Sequence, residues 1–157
     1  MAETRAWHQP GTAVSYINEG RTWSTCPAGR DDPADLLDLA LVTEALGNET
    51  GTLPLYRRAI FLKPEPEELA YAHRGMGDVF QKLKKGAQAA AAYQQAVTVY
   101  QRGLQATSAD VPLLQHGLGH AYLGLGQKDR AMQVHRKLVT LDTQLAQQLR
   151  DEINKAP

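Results

Sequence analysis

The stretch Met76-Gly77-Asp78-Val79-Phe80, followed after a turn by Ala89-Ala90-Ala91-Ala92-Tyr93-Gln94-Gln95-Ala96, decides the fold. Small and large residues recur there at i, i+3, i+4 and i+7, the spacing by which a helix buries one stripe. Gly77 falls where two helices cross and a side chain would hold them apart. Ala89 and Ala96 are the facing small residues of the second helix, while Phe80 and Tyr93 fill the space between units. The arrangement returns downstream as Leu118-Gly119-x-x-Tyr122, then Ala131-x-x-x-His135-x-x-Leu138. Upstream it reads Leu39-Ala40-x-x-Thr43, then Tyr56-x-x-Ala59 and Pro64. A segment repeated three times at this length reads as a stack of helical hairpins.

Local signals place the ends of the helices. Asp32-Pro33 is an N-cap followed by proline at the first helical position, and Glu65-Pro66 and Asp110-Val111-Pro112 repeat the device. Glu67 and Glu68 add negative charge beside a helix N-terminus. Gly47, Gly86 and Gly126 fall in or near the turns between paired helices. These signals predict helices near 33–46, 53–63, 66–84, 87–106, 111–125, 128–140 and 142–155. The repeats are unequal in length: Ala59 and Ala96 lie 37 residues apart, Phe80 and Tyr122 lie 42 apart. Extra residues at 65–69 lengthen the third helix, and 97–106 extend the fourth by about two turns.

The spacing resembles the tetratricopeptide repeat pattern, L-G/A-x-x-Y, then A-x-x-x-F-x-x-A, then P, over residues 33–141. The first unit departs from it, with Thr43 and Thr52 in place of an aromatic and a small residue. The resemblance implies an all-α fold, a right-handed α-α superhelix of about three hairpins with a C-terminal capping helix. It divides the chain into an arm over 1–31, repeats near 33–66, 67–108 and 110–141, and a cap over 142–157. It also implies that the first helix of each unit lines a concave groove in which a peptide or helix of a partner protein lies. Carried over by alignment, the peptide-binding positions are Tyr71, Arg74, Asp78, Gln81, His116 and His120. Leu37, Leu41, Glu44, Lys82, Leu113 and Leu123 extend that lining. The family's clamp for an acidic peptide tail is not expected, because Leu37 and Leu41 stand where its first Lys and Asn would be.

Both ends of a helical stack expose apolar surface and need cover. Leu141, Leu145, Leu149 and Ile153 recur every four residues and read as a closing helix over the last unit, with a homodimer seam as the alternative. The arm holds Trp7, Tyr16, Ile17 and Trp23, and is expected to fold back over the weak first unit or, alternatively, to engage a partner.

Composition narrows the function. Of 157 residues, 17 are basic and 17 acidic, so the excess of Lys and Arg that nucleic acid binding requires is missing. No apolar run approaches the roughly 20 residues of a membrane helix, and the start has no apolar leader, so a cytoplasmic protein without membrane insertion is expected. Cys26 is the single cysteine, which excludes an internal disulfide. His116 and His120 lie one helical turn apart, but the pair has no HExxH general base and no third ligand nearby in sequence. His73 and His135 read as packing residues. No nucleophile elbow or phosphate loop is present, and Gly117, Gly119, Gly124 and Gly126 do not follow a strand. The expectation is a scaffold or adaptor that binds protein, as monomer or homodimer, without catalysis, cofactor or metal. A self-assembling structural protein is the alternative.

Overall fold

The computed structural model describes residues 32–106 and 111–156. The arm over 1–31 and the cap expected at Asp110 lie outside the described residues. Among the described residues seven helices follow one another: α1 (Pro33–Ala45), α2 (Glu49–Phe61), α3 (Pro66–Lys82), α4 (Gly86–Ala106), α5 (Val111–Gly124), α6 (Lys128–Leu138) and α7 (Thr143–Lys155). The described residues contain no strand, and the architecture is an all-α helical repeat. None of the helices is long and apolar enough to cross a membrane.

Side-chain caps start three of these helices. Asp32 accepts from the Ala34 amide at 2.9 Å, Asn48 from Gly51 at 3.0 Å, and Asp142 from Leu145 at 2.9 Å. The Asn48 cap begins α2 four residues before the sequence suggests. Thr52 Oγ1 strengthens this first turn by donating to the Asn48 carbonyl at 2.8 Å, and Pro54 is accommodated inside the helix.

The hairpin turns share one register. The amides of Asn48, Lys85 and Gln127 donate to the carbonyls of Thr43, Phe80 and Tyr122, at 3.1, 2.8 and 2.8 Å. This six-residue closure needs a left-handed residue just before the donor. Gly47, Lys84 and Gly126 fill that place, with φ of 73°, 57° and 70°. Thr43, Phe80 and Tyr122 are therefore equivalent positions despite the unequal repeats. Gly86 lies beside its turn as the first residue of α4, and Lys84 takes the left-handed place.

Each helix packs on the next in sequence, and α1, α3, α5 and α7 also touch one another in a continuous inner row. Leu36, Tyr56, Ala59 and Val79 anchor the core between the first two units. Tyr93, Ala96, Leu114, Ala131 and Leu138 anchor the core of the rest. Met76 and Leu53 pack against both, so one apolar core runs the length of the stack. Leu149 and Ile153 of α7 are fully buried against it, so the apolar stripe of the closing helix is covered within the chain. Leu141 is the exception, half exposed in the turn before α7.

Glycines set how closely the rows approach. A Cβ on Gly77 would stand 2.7 Å from the ring of Tyr93, the crossing expected within the second unit. At Gly119 the outcome differs, because the neighbour is Leu149 of α7, 2.5 Å from such a Cβ, and not the second helix of its own unit. Gly75 lies against the ring of Tyr56, and Gly117 against that of Tyr100. A tyrosine of α2 and one of α4 thus each cross a glycine of the following inner helix.

Candidate functional site: the inner face of the helix row

The inner row carries a polar seam that crosses all four of its helices. Lys82 of α3 donates to Glu44 Oε1 of α1 at 2.6 Å. Asp78 Oδ1 of α3 lies 3.1 Å from His120 Nε2 of α5, and His120 Nδ1 lies 2.9 Å from Glu152 Oε2 of α7. One imidazole therefore bridges two carboxylates from two other helices. Tyrosine hydroxyls support the seam from below. Tyr93 donates to Asp78 Oδ1 at 2.6 Å, with Gln81 Oε1 2.9 Å from the same hydroxyl, and Tyr56 donates toward Glu44 at 3.3 Å.

Charge states follow from these contacts. Burial pulls the His120 imidazole down, but its bonds to Asp78 and Glu152, with the Asp78 charge, outweigh burial and bring it up to about 9. It is the charged form at neutral pH. Burial pushes the Asp78 carboxyl up, yet the bonds from His120 and Tyr93 bring it below the usual carboxylate range. Glu152 is likewise pushed up by burial and then brought below its usual value by its bond to His120 and the His120 charge. His116 behaves oppositely: burial holds it below the usual histidine range, and Glu152 only partly opposes this. Its Nε2 stands 3.8 Å from Glu152 Oε1, too far for a hydrogen bond. Tyr56 and Tyr93 are raised far above the ordinary phenol range, and Tyr100 to about 12, in each case chiefly by burial. None is a base near neutrality.

The six positions expected to bind a peptide divide as follows. Asp78 and His120 form the seam, and Gln81 flanks it on the exposed rim. Arg74 lays its guanidinium on the Tyr71 ring, 4.8 Å from the centroid. Arg74 Nε and His116 Nε2 are buried without a hydrogen-bond partner among the described residues. Of the extended lining, Leu41 and Leu113 stand open at 45% and 62% exposure. Leu37 does not belong to it: at 6% exposure it is part of the core under the first unit. Its place in α1 turns it toward Tyr56 and Val79 rather than out of the stack. His135 is half-buried on α6, with a buried Nδ1 left unpaired.

Glu152 is the member that the sequence reading does not reach. The four-residue apolar period of α7 marks only the side of the helix that packs, and Glu152 lies beside Ile153 on its edge. Only the docking of α7 beside α5 brings it to His120. Among the described residues no three His, Cys, Asp or Glu side chains are arranged to hold a metal ion. Both ring nitrogens of His120 are already engaged by carboxylates.

Residues 114–145 match the family model described as Tetratricopeptide repeat, from α5 through the first turn of α7. The match supports the resemblance read from the sequence; the repeat is of a kind that generally serves protein–protein interaction and not catalysis. No curated protein and no solved structure matches the chain.

Proposed function

Taking the tetratricopeptide repeat at residues 114–145 as the premise, we propose that the chain is a protein–protein interaction module, a scaffold or adaptor without catalytic activity. Its inner face takes a peptide or helix of a partner protein over Tyr71, Arg74, Asp78, Gln81, His116 and His120. The interaction unit spans residues 32–141, and the segment after it closes the stack. One observation carries the reading. The inner row joins side chains of four helices into a single polar face, with Leu41 and Leu113 open and Tyr71 half-buried beside it. Side chains of this mix can orient a partner backbone by hydrogen bonds and hold it by apolar contact.

Photo-crosslinking tests the reading without disturbing the seam. A photoreactive residue placed at Leu113 or Leu41, both exposed, reports on the inner face; one at Gln94 of α4, also exposed, is the control. The expected result is a discrete set of protein adducts from the first two positions and not from the third. Equal labelling from all three, or none from the inner face, overturns it.

A further inference from the structure

The inner face neutralises its own charge. Three carboxylates, Glu44, Asp78 and Glu152, meet three cations, Lys82, Arg74 and His120. Glu44 is taken by Lys82 at 2.6 Å, and Asp78 and Glu152 by His120 at 3.1 and 2.9 Å. The Arg74 guanidinium lies in the field of Asp78 and Glu152 and is stacked on Tyr71. An incoming Lys or Arg finds each of these carboxylates already paired. An incoming Asp or Glu could reach Arg74, which is in no ion pair among the described residues, only against the repulsion of Asp78 and Glu152 that already share its field.

Between α1 and α3 this face opens into a cavity of about 300 Å³. Leu41 and Ala45 form one wall and the Tyr71 ring with its stacked Arg74 another, with Tyr56 and Gly75 also lining it. The glycine has no side chain to fill the space, because the Tyr56 ring lies against it. The charged rim of the cavity is Glu44, Lys82 and Asp78, all engaged within the protein. Leu41 is half exposed into solvent in a helix that is otherwise apolar on its packed side.

Resting on the proposed reading of the inner face as a peptide groove, we infer that the partner segment is uncharged where it docks and is anchored by one apolar or aromatic side chain in the Leu41–Tyr71 cavity. An aromatic anchor gains a further cation–π contact with Arg74, and its burial against Leu41 and Ala45 supplies the apolar term. The class excluded is the acidic or basic peptide held by ion pairs.

A random-peptide library displayed on phage, selected on the full chain, tests this. The expected winners share a Leu, Met, Phe or Trp anchor with uncharged neighbours. They lose about tenfold in affinity to a Leu41→Arg variant, and their affinity changes little between low and high salt, since no ion pair forms across the interface. Charge-rich winners, a steep salt dependence, or winners sensitive to Leu113→Asp but not to Leu41→Arg overturn this inference and leave the groove reading standing. A library that yields no binder, or only binders indifferent to both substitutions, overturns the groove reading and this inference with it. Thermal unfolding of both variants, whose sites are exposed, checks that the fold is retained.

Discussion

The ring of Tyr93 occupies the space that a side chain on Gly124 would need. A Cβ at Gly124 would lie 2.6 Å from Tyr93 Cε1, and one at Gly77 would lie 2.7 Å from the same carbon. The ring is thus set between inner helices of two successive units, and its hydroxyl is fixed by Asp78 and Gln81. By helix propensity alone, alanine at Gly124 would be harmless or mildly favourable. The structure reverses that reading. Gly124→Ala is expected to destabilise by about 1–3 kcal/mol, the usual cost of overpacking, although alanine favours a free helix by about 1 kcal/mol. Calorimetric unfolding measures the difference, and a variant as stable as the parent would show that Tyr93 can move aside.

Gly119→Leu should also lower the melting temperature, for a different contact. The new side chain would collide with Leu149 and press α7 away from α5, again costing about 1–3 kcal/mol or more. Faster hydrogen exchange across α7 than across α3 would identify the closing helix as the part displaced. Uniform loosening of all helices would argue against that assignment.

Stability should depend on pH through His120. Its pKa is about 9 in the folded chain and about 6.5 when unfolded. Between these values the folded state holds the extra proton, so stability falls as pH rises. The contribution is complete below about 6.5 and gone above about 9. Asp78 and Glu152 act in the opposite sense. Their lowered values stabilise the fold above the ordinary carboxylate range and the effect is lost on acidification. Denaturant titrations from neutral to alkaline pH should therefore show a loss on the order of 1–3 kcal/mol. His120→Gln keeps hydrogen bonding without the charge, and should flatten that alkaline limb. A parent protein whose stability is constant from pH 6.5 to 9 would contradict the imidazolium bridge.

Lys84→Gly is expected to stabilise. Lys84 holds the left-handed turn position that glycine fills at Gly47 and Gly126. A side chain there costs roughly 1–2 kcal/mol, partly offset by the greater freedom of glycine in the unfolded chain. A net gain of about 0.5–1 kcal/mol follows, read as a higher denaturant midpoint with an unchanged slope. A lower midpoint would mean that the Lys84 side chain makes a contact worth more than the strain.

Much of the fold is legible in the residues because helices are local objects. Asp32-Pro33, Glu65-Pro66 and the small residues near 77, 89, 96, 119 and 131 announce starts and packing stripes without reference to distant chain. The start of α2 is read late, near residue 53, because the first turn rests on the Asn48 cap and the Thr52 hydroxyl, which no apolar period marks. The inner-face positions Asp78, Gln81 and His120 come from the family resemblance, and their three- and four-residue spacing puts each set on one helix face. Leu37, carried over in the same way, fails: the width of the buried stripe depends on what packs against it, and that information lies in other helices.

What the sequence by itself determined is the kind of element, its period and the row of residues each inner helix turns toward its neighbours, since all of these arise from contacts within a few residues. Tertiary structure alone decided that His120 stands between Asp78 and Glu152, that Tyr93 passes between Gly77 and Gly124, and that Leu149 closes on Gly119. Each of these joins helices brought together only by stacking. The proton on His120 depends on two carboxylates 42 and 32 residues away along the chain, and its charge is fixed by distance in space, which no local period encodes.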